Sequence, residues 1–165
     1  MIKPEKLKPA VVTMLNDRLG DEYLAHYHYT CAANYCQNVG YFKAAKFFFA
    51  EAAAELDHAN GIMAYLNQWN IQPAIPKVET NHKFTGLVEI IEKSYKLEYD
   101  LFNKYAENSK KILVQDINTF DFLQKYRTIQ TESVAEFSDF LNALELIDAK
   151  EKFQLFMFEK EHFEG

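Results

Sequence analysis

Residues that break helices are scarce in this chain: five glycines and four prolines among 165 residues. That scarcity excludes frequent turns and leaves long uninterrupted elements. Cysteine is limited to Cys31 and Cys36. Their spacing is neither that of a CxxC redox pair nor that of a zinc motif. On a helix they fall on different faces, so no disulfide is expected between them. Two unpaired thiols fit a reducing cytoplasm. No apolar run approaches the ~20 residues of a membrane span. The opening Met1-Ile2-Lys3-Pro4-Glu5 lacks the apolar core of a secretion signal. The expectation is a cytoplasmic chain with no membrane partner. Positive charge is outnumbered, 18 Lys and Arg against 24 Asp and Glu, for a net charge of −6. This argues against nucleic acid as the main partner. There are no internal repeats and no low-complexity stretches. What is abundant is aromatic: 14 Phe and 10 Tyr. A chain of this length is expected to form one domain, residues 1–165, with a full core.

Apolar periodicity predicts an all-α chain of four long helices and a short fifth. The first begins between Glu5 and Ala10, where Pro4 and Pro9 are tolerated in an opening turn, and ends at Asn38-Val39-Gly40. The second covers about Tyr41 to Asn70. Its connection to the first is short, so the two should be antiparallel neighbours. Pro73, Pro76 and Thr80-Asn81-His82 then break every period over Asn70 to Gly86. Such a connection can run the length of a bundle. The third helix covers about Thr85 to Leu113, with Thr85 a candidate N-cap. The fourth covers about Asn118 to Asp148. A terminal amphipathic piece, about Lys150 to Glu161, carries Phe153, Phe156, Met157 and Phe158, and should pack against the bundle end or another subunit.

The chemistry lies where the apolar seams are interrupted. Helix two reads Ala44, Phe48, Glu51, Glu55, His58, Ile62, Tyr65 and Trp69, alternating gaps of four and three. Glu55 and His58 at i and i+3 project from one face. A carboxylate and an imidazole inside such a seam are unfavourable unless something neutralises them. Helix one places Glu22 at mid-seam, with Tyr29 two turns on. Helix three places Glu98 there, and helix four places Gln130 and Ser133. In an antiparallel bundle these midpoints come to one level. Several carboxylates would then share one buried space, which repulsion forbids and divalent cations relieve. Carboxylate and imidazole ligands suit iron, manganese or zinc.

Those segments carry a resemblance. Leu15-Asn16-Asp17-Arg18-Leu19-Gly20-Asp21-Glu22-Tyr23, Glu55-Leu56-Asp57-His58, Tyr95-Lys96-Leu97-Glu98 and Phe122-Leu123-Gln124-Lys125-Tyr126 resemble segments of bacterial non-haem ferritins, in the ferritin-like superfamily. The resemblance spans essentially the whole chain. It implies an antiparallel four-helix bundle with one long crossover and a short fifth C-terminal helix. It also implies a diiron site inside each subunit. Glu22 and His58 match ligands of a first iron, Glu55 the bridging ligand, and Glu98 a ligand of the second. Gln130 matches a Gln that hydrogen-bonds beside the pair and is counted with the metal set. Tyr29 matches a tyrosine nearby, which either packs the core or takes part in the chemistry. The activity implied is ferroxidation: Fe(II) is oxidised to Fe(III) by O2 or peroxide, and stored as a ferric mineral in a shell of 24 subunits.

The departures set further expectations. Ser133 stands where many bacterial ferritins carry a Glu, so the second iron would lack a carboxylate. The acids of an accessory third iron fall on Ala54 and Ile129, so no full third site is expected. Asp57 and Glu132 remain as candidate inner-surface acids. The haem-binding Met and His of bacterioferritins are Leu56 and Ser133 here, so no haem is expected. Glu51 is expected beside the ligands as a hydrogen-bonding or ion-paired group. His26 should be a satisfied core or interface histidine, and His28 and His82 should face solvent. Glu159-Lys160-Glu161-His162 is taken as a chance Glu-x-x-His. Alternatives remain: a storage subunit with weak oxidase activity, another diiron oxidase or peroxidase, and a structural bundle with buried ion pairs. A DNA-protecting mini-ferritin is disfavoured, because its ligands lie between subunits.

Overall fold

The computed structural model describes residues 6–79 and 83–164. Among them are five helices: α1 (Pro9–Val39), α2 (Phe42–Gln68), α3 (Leu87–Ile112), α4 (Ile117–Leu144) and α5 (Lys152–His162). At 1.5 Å per residue the four long helices are each about 40 Å in length. Pro9 occupies the first turn of α1, where its missing N–H is not needed. Gly40 ends the helix at φ 99°, a conformation open to glycine. The N–H groups of Gly40 and Tyr41 both return to the Cys36 carbonyl, at 3.1 and 2.9 Å. So tight a reversal lays α2 antiparallel along α1, and α3 and α4 form a second such pair.

Asp116 caps α4, accepting from the Thr119 N–H at 3.0 Å and its hydroxyl at 2.7 Å. The start of α3 departs from expectation. Its N-cap is Gly86, not Thr85. The Glu89 side chain instead reaches back to accept from the Thr85 N–H and hydroxyl, at 2.6 and 2.8 Å.

The crossover between α2 and α3 runs along α1. Ala74 donates to the Asn16 side chain at 2.9 Å, and Pro76 lies against Gly20. Further on, Phe84 meets His28 and Tyr35 edge-on. The connection therefore climbs about four turns of α1 and starts α3 at the end where α2 started. This climb corrects the expectation for His28. It is buried rather than solvent-facing, with Nε2 2.8 Å from Ser94 Oγ. His82 lies outside the described residues.

The core has two apolar halves. One holds Leu15, Leu19, Ile62, Leu66, Leu101 and Leu123. The other, at the α5 end, holds Ala33, Phe48, Ile91, Phe137, Phe140 and Phe163. Between them sits a polar layer of Glu22, Glu55, Glu98 and Gln130, all buried.

The terminal helix closes the aromatic half with Phe158 alone of the four residues its sequence pattern suggested. Phe158 and Phe163 are buried, whereas Phe153 is 65% exposed and Phe156 and Met157 are partly so. Phe163 stacks on Phe140 at 4.6 Å. Glu159 is buried and accepts from the Ala44 N–H, in the first turn of α2, at 2.9 Å. A carboxylate there satisfies an open donor and meets the positive end of the helix. Replacing it, as in Glu159→Ala, is expected to lower stability by about 1–2 kcal/mol. Chemical denaturation checks this; an unchanged midpoint would contradict it.

Candidate metal centre

Each long helix delivers one part of the polar layer at mid-length. Glu22 comes from α1, Glu55 and His58 from α2, Glu98 from α3 and Gln130 from α4. The structure brings together Glu22, Glu55 and His58, each offering one ligand atom within 4.8 Å of the others. His58 Nδ1 lies 3.0 Å from Glu55 Oε2 and 3.5 Å from Glu22 Oε2. That Glu22 oxygen is buried and has no hydrogen-bond partner among the described residues. A buried carboxylate oxygen without a hydrogen bond is unfavourable, and a cation would complete it.

The other carboxylate is differently placed. Tyr29 donates its hydroxyl to Glu98 Oε1, and Gln130 donates to Oε2 at 2.8 Å and to the Glu98 carbonyl at 3.2 Å. Both oxygens of Glu98 are thus engaged. Tyr29 itself stacks with both Phe48 and Phe137, 6.0 Å from each, and those two rings also stack on one another at 6.5 Å. It packs the core, and its hydroxyl is bonded to a carboxylate of the layer.

Electrostatics follow from crowding. Burial pushes the Glu55 carboxyl well above its ordinary range, and the charges of Glu22, Glu98 and Glu51 push it further. Burial raises Glu98 too, against the lowering effect of its bonds from Tyr29 and Gln130. For His58, burial favours the neutral ring, but Glu22, with Glu98 and Glu51 behind it, raises the pKa overall. Glu51 is pushed up to about 7 by burial and by the charges of Glu136 and Glu98. The layer holds more negative charge than its surroundings tolerate.

A cavity of about 370 Å³ opens beside this group. It is lined by Glu51, Glu55, His58, Glu132, Ser133 and Glu136, with Ala54 and Ile129. Ser133 is only partly buried and reaches none of the carboxylates by a hydrogen bond. The cavity opens on the α2–α4 face, beside the short Ser133 side chain. Asp57 is exposed. His26 is satisfied as expected, with Nδ1 2.6 Å from the Ala52 carbonyl. Cys31 and Cys36 are free thiols.

Two contacts escaped the sequence argument. Tyr105 donates its hydroxyl to Glu22 Oε1. Tyr126 donates to the His58 carbonyl at 2.8 Å. Tyr105 lies seven residues from Glu98, two turns along the same face, and that spacing was the available signal.

Comparison with known proteins agrees with this architecture. The family model for the ferritin-like domain matches residues 12–147. The Haemophilus influenzae protein named "Probable bacterial non-heme ferritin-like protein" is 31% identical over 94% of both chains. The bacterial non-heme ferritin of Campylobacter jejuni is 29% identical over 86% of both. An open pore ferritin from the archaeon Archaeoglobus fulgidus superposes with a TM-score of 0.89 at 22% identity, covering 98% of this chain and all of its own. Among the described residues, no helix is long and apolar enough to cross a membrane. With its buried Glu and His layer, its bundle and crossover, and these matches over most of its length, the chain belongs to the ferritin family.

Proposed function

We propose that this protein stores iron and oxidises it on the way in. Fe(II) is the substrate. Glu22, Glu55 and His58 take a first ion, and Glu55 bridges to a second held by Glu98, with Gln130 bonded to that carboxylate. The observation that carries this reading is the buried Glu22 oxygen, without a hydrogen bond among the described residues and grouped with Glu55 and His58. Two ions held together can give two electrons to O2 or peroxide, and carboxylate oxygens favour the Fe(III) that results. Glu55 would donate an oxygen to each ion and offset the charge of both, and Tyr29 and Gln130 hold Glu98 between turnovers. The cavity lined by Glu51, Glu132 and Glu136 is the exit toward an acidic surface. The names of the bacterial relatives support storage. By the same likeness the protein works in the cytoplasm, as a shell of 24 subunits enclosing a ferric mineral, without haem.

A second reading is favoured by one feature: both Glu98 oxygens are engaged and Ser133 adds no carboxylate. The second ion would then be held weakly, and the protein would be a storage subunit of low oxidase activity. Stopped-flow absorbance on aerobic apoprotein separates the two. A fast phase that saturates at two Fe(II) per subunit is the expected result. Oxidation no faster than in protein-free buffer would reject the ferroxidase. Mineral growth measured on the same samples would then decide whether storage survives.

A further inference from the structure

We infer that Tyr105 is a positioning residue for the first metal ligand set: it pins one oxygen of Glu22 and leaves the other free for metal. The inference rests on the proposed iron reading. Tyr105 is fully buried, and its hydroxyl takes Glu22 Oε1. Glu22 Oε2 is left as the orphan, 3.5 Å from His58. A carboxylate fixed in this way offers one oxygen along one direction and loses no rotational freedom when metal arrives.

Tyr105 is itself held. Its ring stacks on Tyr126, with centroids 5.2 Å apart and planes inclined by 18°. Tyr126 in turn donates to the His58 carbonyl at 2.8 Å. One pair of rings, from α3 and α4, thus ties down both Glu22 on α1 and the backbone of His58 on α2. Gly61 makes the room for it, since a Cβ there would lie 2.6 Å from the Tyr126 hydroxyl. Glu98 differs in that each of its oxygens already accepts a hydrogen bond, from Tyr29 and Gln130, so a metal shares each oxygen with a donor. The two positions should therefore bind with separate affinities, and Tyr105 should matter only to the tighter.

Co(II) is a suitable probe, because its visible spectrum reports ligand geometry without turnover. Titration of apoprotein, followed by absorbance and calorimetry, is expected to give a tight and a weaker step. Tyr105→Phe keeps the buried ring but frees Glu22 Oε1. It should weaken the tight step about 10-fold and alter its spectrum, with the weaker step unmoved. Tyr126→Phe, acting one residue further away, should weaken the tight step less. A tight step unchanged in Tyr105→Phe overturns the inference. So does equal weakening of both steps, which would mean that Tyr105 holds the fold rather than Glu22. Wild-type protein that binds no Co(II) would remove the metal reading itself, and this is distinct from either result.

Discussion

The variant Glu55→Ala is expected to lose the fast phase of Fe(II) oxidation, slowing it by roughly 100-fold or more. Glu55 is the carboxylate on which the charges of three others converge. It lies 3.0 Å from His58, and its own ionisation is opposed by Glu22, Glu98 and Glu51. Without it the remaining ligands form two separate half-sites, and two ions no longer share an oxygen. The same change removes one of the like charges buried in the layer. The apoprotein should therefore become more stable while activity is lost, a combination that simple misfolding cannot produce. Stopped-flow absorbance at two Fe(II) per subunit, with a thermal melt of each apoprotein, reads both effects. A fast phase retained in the variant would remove Glu55 from the proposed bridge.

The second large effect is on apoprotein stability as pH changes. Glu55, Glu98 and Glu51 have folded pKa values above those of the unfolded chain. The folded state then binds more protons, so stability is greatest below the unfolded values and is lost as pH rises through the folded ones. His58, also raised, contributes with the same sign. For Glu51 the window runs from the ordinary 4.5 to about 7. Its share is on the order of 2 kcal/mol after a discount for partial exposure. Apoprotein should thus melt at lower temperature near pH 8 than near about pH 5. Added Co(II) should reverse that order, because metal takes the place of the protons and binds best where the carboxylates are already ionised. Melting temperatures that rise with pH in the apoprotein, or a metal-induced shift independent of pH, would contradict the crowded-carboxylate account.

Much of this was legible in the amino-acid order because it repeats. The alternating gaps of three and four around Glu22, Glu55 and Glu98 place each acid on a buried face, and those faces are the ones the structure buries. The crossover showed itself through Pro73 and Pro76. What periodicity cannot show is which segment covers a helix from outside. His28 stands off the main seam of α1 and looks solvent-facing. It is buried by Ser94 on α3 and by Phe84 at the end of the crossover. Thr85 has the chemistry of an N-cap, but the path of the crossover hands that place to Gly86. Tyr105 gives no signal of its own, because a tyrosine on a seam has an apolar body. Its hydroxyl acquires meaning only when Glu22, 83 residues earlier, is set opposite. Glu159 is the extreme case: a motif that mimicked a metal ligand pair proves to close a helix end on another element.

That last contact orders events during synthesis. The carboxylate that satisfies the Ala44 N–H is made 115 residues after it. The α1–α2 hairpin leaves the ribosome with its turn end uncapped, and its local pairing needs nothing from downstream. The crossover and second hairpin follow, and only then can α5 fold back over the end. A nascent chain stopped before Glu159 would have its four long helices but would leave Phe47, Phe48 and Phe140 without Phe163 above them. Such an uncovered aromatic end is the surface that chaperones hold and that aggregates grow from. Cover for the aromatic half therefore comes last in the order of these helices.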